Sequence, residues 1–595
     1  MLRAATVVSL TLLSVASAVT AAPDTRTTTQ LPRNVRPSHY DVTITPDAPA
    51  LTFTGRVDIA IEVLEPTSAI KLQSADITYF AAKLTPAEPG AASVAAVTAV
   101  NEEEQTATFS FPQKIAAGRY QLALDYEGKI GQQAFGLFAL DYKTDAGEKR
   151  ALYSQFENSD ARRMIPSWDE PVYKATFTLH AVIPTGQTAV SNMPAASTTD
   201  LGSGKTRVDF QPSPKMSTYL LFFAMGEFDR VTGTVDGVEV GVVTRKGVTD
   251  QAKFALESSK DVLREYNRYF GLPYPLPKLD NVAAPGSSQF FGAMENWGAI
   301  FTFEYAILLD PTISTQSDKQ EAFKVAAHEI SHQWFGDLVT MSWWDDLWLN
   351  EGFASWMEGR TTEWLHPEWN TALEAVNGRE AAMRRDSIST THPVIQKIET
   401  VEQASQAFDT ITYQKGEAVI RMLEGFVGKD AWRDGVRRYV KAHLYGSTVS
   451  DDLWKEIEIA AGRPIKDIAH DFTLQPGVPL ITVRDADCSS GYTKVDLSQG
   501  EFSQDPSRTR SLTWRTPVLV KSLGAKDPVQ TVVKSGSASV VVPGCDAPVV
   551  NAGQSGYFRT LYAPKVFSRV ASSFSKVAPI DQLGVLFDSL SLIHI

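Results

Sequence analysis

Cysteine is nearly absent from the sequence: Cys488 and Cys545 are the only two among 595 residues, and both lie in the last third. Neither is close to the His-Glu-x-x-His motif at residues 328–332, so we expect no thiolate among its metal ligands. In an oxidising compartment the two cysteines are expected to form a disulfide that closes a long loop. Two buried free thiols are the alternative.

Positive charge is scarce as well. The chain has 56 lysines and arginines against 69 aspartates and glutamates, which gives a formal net charge of −13. Because no basic stripe is available to meet phosphate groups, we expect no nucleic-acid partner. The mildly acidic surface says little about the substrate.

Long hydrophobic runs are also missing. No stretch reaches the roughly 20 apolar residues that a membrane-spanning helix needs, so we expect no stable membrane anchor in the mature chain. Residues 1–22 instead predict a secretory signal peptide, with Arg3 as its positive charge, a short apolar segment, and a small-x-small cleavage site at Ala16-Ser17-Ala18. We therefore expect an exported protein, periplasmic or secreted, and we expect a monomer.

The length of the chain and its residue patterns predict a multidomain α+β protein. Hydrophobic residues make up 43% and charged residues 21%, which is typical of globular proteins, and 595 residues exceed what one core accommodates. Alternation of apolar and polar residues predicts a β-rich domain at 31–228. Helical periodicity predicts a catalytic domain at 229–475, strands return in a small β-sandwich at 476–565, and residues 566–595 begin another helical segment. There an amphipathic helix opening at Pro579 is expected to expose Leu583, Phe587 and Leu590.

The most informative residues are His328, Glu329, His332 and, further on, Glu351. Residues at i and i+4 lie on one face of a helix, so the two imidazoles can share one tetrahedral Zn²⁺ with Glu351 as third ligand. The fourth position stays open for a catalytic water, whose proton the neighbouring Glu329 can take. These residues predict a zinc hydrolase with one Zn²⁺ per chain.

The flanking sequence predicts that the motif lies on a buried helix. Ser317 and Gln320 fit a capping box that opens the helix, and Asn350 fits the N-cap of a second helix that carries Glu351 in its first turn. The alternative is a helix whose histidines face solvent. Burial argues against it, because unpaired imidazoles and a carboxylate are costly in a core.

Several further motifs, in the same order along the chain, resemble those of the M1 zinc aminopeptidases (gluzincins), typified by aminopeptidase N. One is the exopeptidase motif Gly292-Ala293-Met294-Glu295-Asn296, and another is the tyrosine segment Tyr413-Gln414-Lys415-Gly416. The others are Ser154-Gln155-Phe156-Glu157, Asp160-Ala161-Arg162-Arg163, Asp169-Glu170-Pro171, and Gly553 through Arg559.

This resemblance implies an architecture and a set of roles. The catalytic domain should be thermolysin-like and mostly helical, and residues 566–595 should be the truncated start of the family's C-terminal helical domain. Glu329 should be the general base, Tyr413 should stabilise the oxyanion, and Glu358 should support a zinc-binding histidine. Peptide substrates should be held by their free N-terminus through Gln155, Glu157, Gly292, Ala293, Met294, Glu295 and Asn296.

Other interpretations remain open at this point. Taken alone, Tyr413 could be a core residue and Glu358 could lie on a solvated helix face. A zinc endopeptidase would have no reason to carry Glu295 and Glu157, and a catalytically inactive binding protein would not need Glu329. The epoxide-hydrolysing branch of the same family shares the zinc site, but its motif begins Gly-Gly where this chain has Gly292-Ala293.

Overall fold

The computed structural model describes residues 30–145, 147–505, 512–534 and 536–593. The predicted signal peptide at 1–22 lies outside these ranges. The described residues form an α+β protein, β-rich at the start and helical around the zinc motif, as expected. Among its described helices, none combines the length and the apolar character that crossing a membrane requires.

The first part of the chain is built from three sheets. An eight-stranded sheet has the order β13-β14-β11-β1-β2-β8-β4-β5, a four-stranded sheet β12-β15-β10-β9, and a three-stranded sheet β3-β7-β6. Their strands are β1 Val35–Asp47, β2 Thr52–Val63, β3 Thr67–Gln73, β4 Thr78–Pro86, β5 Val94–Ala95, β6 Val97–Asn101, β7 Thr106–Ile115, β8 Gly118–Lys129, β9 Gly136–Thr144, β10 Gly147–Gln155, β11 Thr176–Pro184, β12 Thr188–Ser191, β13 Ala195–Gly202, β14 Lys205–Phe210 and β15 Phe223–Gly226.

The alternation that predicted these strands is visible in β1. Tyr40, Val42 and Ile44 are buried, while Asp41 and Thr43 between them are partly exposed. One face of this strand therefore packs into the core, as period-two patterning requires. Strand β10 matters most for the site, because it ends at Gln155 and delivers the following residues to the centre of the molecule.

The segment after residue 228 differs from the expectation that helices begin there. It opens with a five-stranded sheet of order β16-β17-β18-β20-β19. Every residue of β18 and of β20 is buried, so neither strand shows the alternation that identifies a half-buried strand. The strands are β16 Phe228–Val235, β17 Val238–Arg245, β18 Lys278–Ala284, β19 Ala293–Met294 and β20 Ala299–Phe303.

Helices then surround the zinc motif. Large buried aromatic side chains, among them Trp334, Trp348 and Trp356, fill the space between them. A short parallel pair, β21 Thr340–Met341 and β22 Ser447–Thr448, joins two loops. The helices are α1 Lys253–Phe270, α2 Glu304–Ile307, α3 Gln316–His332, α4 Trp348–Leu365, α5 Ala372–Asp386, α6 Val401–Gln406, α7 Gly416–Val427, α8 Lys429–Ala442, α9 Ser450–Ala461 and α10 Lys466–Thr473.

The start of α3 corrects the predicted cap. Thr315, not Ser317, is the N-cap residue, and its hydroxyl accepts a hydrogen bond from the backbone N–H of Asp318. The Asp318 carboxylate accepts the backbone N–H of Thr315 in return, at 2.6 Å. The sequence allows a capping box in two registers, Thr315 with Asp318 or Ser317 with Gln320. The first is favoured because the carboxylate of Asp318 accepts hydrogen bonds more strongly than the amide of Gln320.

Strands return after α10 and form two facing sheets with their own core. A four-stranded sheet β27-β24-β23-β29 packs on a three-stranded sheet β26-β25-β28 through buried residues such as Val495, Val518 and Phe558. Cys488 and Cys545 are joined in the expected disulfide, with their Cα atoms 5.3 Å apart. The strands are β23 Val478–Ser489, β24 Tyr492–Phe502, β25 Thr516–Ser522, β26 Val529–Val533, β27 Ser537–Pro543, β28 Pro548–Val550 and β29 Arg559–Tyr562.

Two further helices follow, α11 Pro564–Ser572 and α12 Pro579–Leu592. Asp588 of α12 accepts the backbone N–H of Thr560 at 3.1 Å, which ties the helix to the sandwich. The exposed apolar residues differ from the expected set. Leu590 is exposed as predicted, but Leu583 and Phe587 are half-buried, and Leu586 is exposed in their place.

A buried ion pair within the helical part also anchors the sandwich, through hydrogen bonds to its carboxylate. The Lys415 Nζ lies 2.8 Å from Asp386 Oδ2, and both side chains are fully buried. The same carboxylate accepts hydrogen bonds from the Tyr557 hydroxyl at 3.1 Å, the Thr391 hydroxyl at 2.7 Å and the Gly477 N–H at 2.8 Å. Burial alone raises the pKa of Asp386, but Lys415 and these donors outweigh it and lower the pKa below its usual value.

We predict that Lys415→Met lowers the free energy of unfolding by about 3–5 kcal/mol, because it leaves a buried carboxylate without its cation. Chemical denaturation at neutral pH measures this. The control is Lys494→Met, which removes an exposed lysine 3.0 Å from Asp496 and should cost less than about 1 kcal/mol. Equal losses of unfolding free energy in the two variants would contradict the stabilising role of the Lys415–Asp386 ion pair.

The same pair predicts a pH dependence. A carboxyl group whose pKa is lowered by folding stabilises the fold above its unfolded pKa of about 3.9, and this contribution disappears as the pH falls through the folded value. Wild-type stability should therefore fall on acidification below about pH 4. The free energy of unfolding of Lys415→Met should fall less over that range, because the variant has already lost much of the stabilisation that ionised Asp386 provides.

Candidate active site

Two histidines and a glutamate meet where helix α3 packs against helix α4. His328 and His332 lie one turn apart on α3, and Glu351 lies in the first turn of α4. The Nε2 atoms of the two histidines are 3.3 and 3.4 Å from Glu351 Oε2. Burial raises the pKa of Glu351, but the hydrogen bonds and charges of the two imidazoles outweigh it, and the pKa lies well below its usual value.

The spacing of these three side chains fits a zinc ion. Ligand atoms bonded to tetrahedral zinc at about 2.0–2.1 Å lie roughly 3.3 Å from one another. The two nitrogen-to-oxygen distances here are 3.3 and 3.4 Å, and all three candidate ligand atoms lie within 4.8 Å of one another. Imidazole nitrogen and carboxylate oxygen are both ligands that zinc accepts. The residues therefore have the chemistry and the spacing of a three-ligand zinc site.

The outer ring nitrogens of the histidines are also engaged. His332 Nδ1 lies 3.0 Å from the backbone carbonyl of Phe335, and His328 Nδ1 lies 3.2 Å from Glu358 Oε2. When each Nδ1–H donates to its oxygen and the ring is neutral, the Nε2 lone pair is available to a metal ion bound between the histidines and Glu351. The structure thus brings the half-buried Glu358 side chain within hydrogen-bond distance of a candidate metal-binding histidine, which favours the supporting role over the solvated helix face.

Asn350 does not cap helix α4, because the helix begins before it. Its Nδ2 instead donates to the Tyr219 hydroxyl at 3.2 Å, and that hydroxyl donates to the Gly336 carbonyl at 3.2 Å. Gly336 has φ +128°, and a Cβ there would lie 3.2 Å from Asn350 Nδ2 and 3.3 Å from His332 Nδ1. Asn350 therefore links the metal-binding helices to the β-rich part of the chain.

Several buried carboxyl groups crowd this centre. Burial is the main cause that raises the pKa of Glu329 to about 8, and Glu295 and Glu351 add to it. Burial and neighbouring acids likewise raise the pKa of Glu157 and Glu295. Burial lowers the pKa of His332, but Glu295 and Glu351 outweigh it and raise the pKa to about 9. The pocket therefore has a strong preference for positive charge.

Two of these carboxylates keep an oxygen free of protein partners. Glu157 Oε1 and Glu295 Oε1 are both buried and accept no hydrogen bond from any described residue. Glu295 also groups with Glu329 and His332, with one ligand atom from each within 4.8 Å of the others. A buried carboxylate oxygen without a partner is costly, so the pair calls for a cationic or hydrogen-bond-donating ligand.

Gln155 stands behind Glu157. Its Oε1 accepts the backbone N–H of Glu157 at 2.7 Å, and its Nε2 donates to the Glu157 carbonyl at 3.3 Å. The amide of Gln155 thus fixes the backbone of the residue it was predicted to assist, and one N–H hydrogen is left over for a ligand.

The exopeptidase motif forms the edge of the five-stranded sheet. Ala293 and Met294 are strand β19, which pairs on one side with β20 and has no neighbouring strand on its other side among the described residues. The Gly292 carbonyl accepts the N–H of Phe303 at 3.0 Å. An edge strand can pair with an extended peptide. Asn296 is fully buried, and neither atom of its amide has a partner among the described residues.

Tyr413 lies on a π-helical turn, Ile411–Lys415, that precedes α7. Its ring lies 6.2 Å from that of His328, and its hydroxyl interacts with the Glu351 carboxylate. Burial and the surrounding carboxylates raise the pKa of Tyr413 well above 10, so the hydroxyl stays protonated and can donate. The wider π turn is common at functional sites, and periodicity in the sequence does not identify it.

Three site residues were missed in the sequence. Gln333 donates to the Glu295 carbonyl at 2.9 Å, Asn192 donates to the Trp297 carbonyl at 2.9 Å, and the buried Asp337 accepts from Gln333 at 2.9 Å. Gln333 could have drawn notice as the neighbour of His332. Asn192 and Asp337 belong to no motif and become visible only when the segments meet in space.

Two models of one family match most of the described chain. The model described as Peptidase M1 N-terminal domain matches residues 36–220, and the one described as Peptidase family M1 domain matches residues 254–472. The first match covers the three opening sheets except for strand β15 and the first residue of β1. The second contains His328, His332 and Glu351.

Relatives that resemble the chain along 95% of its length include Aminopeptidase M1-B of Oryza sativa subsp. japonica (34% identical), Aminopeptidase M1 of Arabidopsis thaliana (34%) and a Puromycin-sensitive aminopeptidase of Caenorhabditis elegans (31%). The alignments cover 65%, 65% and 60% of these relatives, so the chain spans less than two thirds of their length. The two domain models, in the order and at the positions where the site is built, assign the chain to peptidase family M1.

Proposed function

We propose that the protein is a zinc-dependent aminopeptidase that removes the N-terminal residue from peptides. The observation that carries the proposal is the pair of buried, unpartnered oxygens, Glu157 Oε1 and Glu295 Oε1, beside a group of zinc ligands. A protonated N-terminus is the part of a peptide that two such carboxylates would bind. The names of the relatives, all aminopeptidases, support the same activity.

The metal-binding residues would be His328, His332 and Glu351, with Glu358 and the Phe335 carbonyl orienting the imidazoles. A zinc ion held there would supply Lewis-acid chemistry, polarising the scissile carbonyl and lowering the pKa of water. Glu329, in the same pocket, accepts a proton from the attacking water and returns it to the leaving amine.

Tyr413 donates its hydroxyl hydrogen to the oxygen that becomes negative as the carbonyl carbon turns tetrahedral. Two features support this role: the raised pKa keeps the hydroxyl protonated, and the ring lies beside His328 and Glu351. The substrate backbone pairs with the free edge of β19, and Met294 borders the side chain of the first residue. A flexible thioether there suits neutral and basic residues.

The alternatives have less support. An endopeptidase would gain nothing from two buried carboxylates that bind an amine one residue from the cleaved bond. The epoxide-hydrolysing branch is disfavoured by Ala293 within the exopeptidase motif. Cleavage of an amino-acid anilide, lost with a chelator and absent on the N-acetylated anilide, separates the three activities.

Export is a further proposal, to the periplasm or the extracellular medium. It is supported by the signal-like composition of residues 1–22 and by the Cys488–Cys545 disulfide, since disulfides persist in oxidising compartments. N-terminal sequencing of the exported protein would detect the cleavage. The monomeric state stays a prediction that light scattering checks.

We predict that Glu329→Gln keeps zinc and lowers kcat by at least about 10²-fold, because the ligands survive while the general base does not. Metal analysis together with turnover measures both quantities. Glu321→Gln, an exposed residue of the same helix, is the matched control and should behave as wild type. His332→Ala should lose the metal itself. Full zinc with near-normal turnover in Glu329→Gln would remove this residue from the mechanism.

Tyr413→Phe should lower kcat by about 10²–10³-fold with little change in KM, as expected for a donor used mainly in the transition state. Steady-state kinetics on an amino-acid anilide measures this, with the exposed Tyr492→Phe as control. An effect confined to KM would assign Tyr413 to substrate binding instead.

Glu295→Ala should lower kcat/KM for substrates with a free amine by roughly 30- to several-thousand-fold, since losing one partner of a buried charge pair costs about 2–5 kcal/mol. Zinc should stay bound. Comparison of free and N-acetylated anilides is the measurement. If the variant kept the wild-type preference for the free amine, Glu295 would not be the anchor.

A further inference from the structure

Gln333 directly follows helix α3, which carries the two candidate metal-binding histidines. Its side chain is fully buried, and each donor and acceptor of its amide forms a hydrogen bond. Its Nε2 donates to the Glu295 carbonyl and to Asp337 Oδ2, both at 2.9 Å. Its Oε1 accepts from the Gly298 N–H and from the Tyr274 hydroxyl, both at 3.0 Å. An amide with two donors and two occupied acceptor sites has only one orientation that satisfies all its partners.

Two of those four partners lie at the two ends of one short segment, Glu295–Gly298. Asn192, from the β-rich part of the chain, holds the same segment through the Trp297 carbonyl at 2.9 Å. Gly298 has φ +78°, and a Cβ on it would lie 2.6 Å from the Asn192 carbonyl, so the path of the segment there requires glycine. The backbone of Glu295 is thus fixed from both sides.

The Glu295 carboxylate is held by fewer hydrogen bonds than the backbone segment that carries it. Its Oε1 has no hydrogen-bond partner among the described residues, so its position depends on the backbone that carries it. Gln333 is the residue next to His332, whose Nε2 belongs to the metal-binding group. One side chain therefore connects a metal ligand to the carboxylate that is proposed to bind the substrate amine.

We infer that Gln333 is a positioning residue that sets the distance between the metal centre and the Glu295 carboxylate, and so the affinity for a free N-terminus. The inference rests on the proposed aminopeptidase activity and deepens it. For removal of one residue, the amine must be bound where the scissile bond reaches the metal centre, and a displaced carboxylate binds the amine more weakly in the ground state and the transition state alike. Gln333 acts through Glu295 and has no contact with the reacting atoms.

The test uses Gln333→Met, which keeps the side-chain volume and removes its hydrogen bonds. KM for an amino-acid anilide should rise by about 10- to 100-fold while kcat changes less than about 3-fold, since amine binding contributes equally to ground and transition states. Zinc content should stay at one ion per chain. A loss of kcat with unchanged KM would overturn the inference.

Calorimetry gives a readout that does not depend on turnover. L-Leucinol and N-acetyl-L-leucinol, which cannot be hydrolysed, are titrated into the zinc-loaded full chain. Wild type should prefer the free amine, and Gln333→Met should lose most of that preference. If wild type showed none, the proposed function itself would fail. If wild type showed it and the variant kept it, only the role of Gln333 would fail.

Two more variants separate positioning from stability. Tyr274→Phe removes one of the two contacts of Gln333 that lie outside the Glu295–Gly298 segment, and it should lower Tm without changing the affinity for leucinol. Gln333→Glu keeps the acceptor for Gly298 but sets an oxygen against the Glu295 carbonyl and the Asp337 carboxylate, so it should raise KM at least as much as Gln333→Met. It also serves as the test should Gln333→Met fail to fold. Equal effects of Tyr274→Phe and Gln333→Glu on leucinol binding would contradict a positioning role.

Discussion

The burial of several carboxyl groups around two imidazoles is the constraint on which the rest of the site depends. Glu157, Glu295, Glu329 and Glu351 share one pocket, and burial and mutual repulsion raise the pKa of the first three. Such a cluster is stable in its ionised form only if positive charge enters it. In the proposed function, two cations with different chemistry would meet that need: a metal ion on the two histidines and Glu351, and a substrate amine on Glu157 and Glu295.

The architecture provides this pocket by joining parts that are far apart in the sequence. Helices α3 and α4 supply the metal-binding group, the edge of the five-stranded sheet supplies Glu295, and the end of β10 supplies Glu157. Polar side chains such as Asn350 and Gln333 cross between these parts. Amine binding therefore requires the β-rich and helical parts to be correctly docked, whereas the metal group is contained within two neighbouring helices.

The candidate metal ligands could be predicted from the sequence, whereas the parts of the site that depend on contacts between distant segments could not. Helix geometry alone allows His328 and His332, at i and i+4, to share one metal ion, and Glu351 was predicted as third ligand from its place at the start of the next helix. The five-stranded sheet could not be predicted, because fully buried strands carry no alternation. Nor could the cap at Thr315, since two overlapping registers satisfy the same pattern. Asn192 stayed hidden because its partner Trp297 lies far along the chain, and Asp337 stayed hidden because it belongs to no motif.

The central claim is that the pocket holds two cations side by side. Anomalous diffraction at the zinc edge, from crystals of the protein with bound L-leucinol, tests it most directly. The account predicts one zinc peak within bonding distance of His328 Nε2, His332 Nε2 and Glu351 Oε2, and an amine nitrogen within hydrogen-bond distance of Glu157 Oε1 and Glu295 Oε1. Zinc on other residues, or an amine away from both carboxylates, would contradict it.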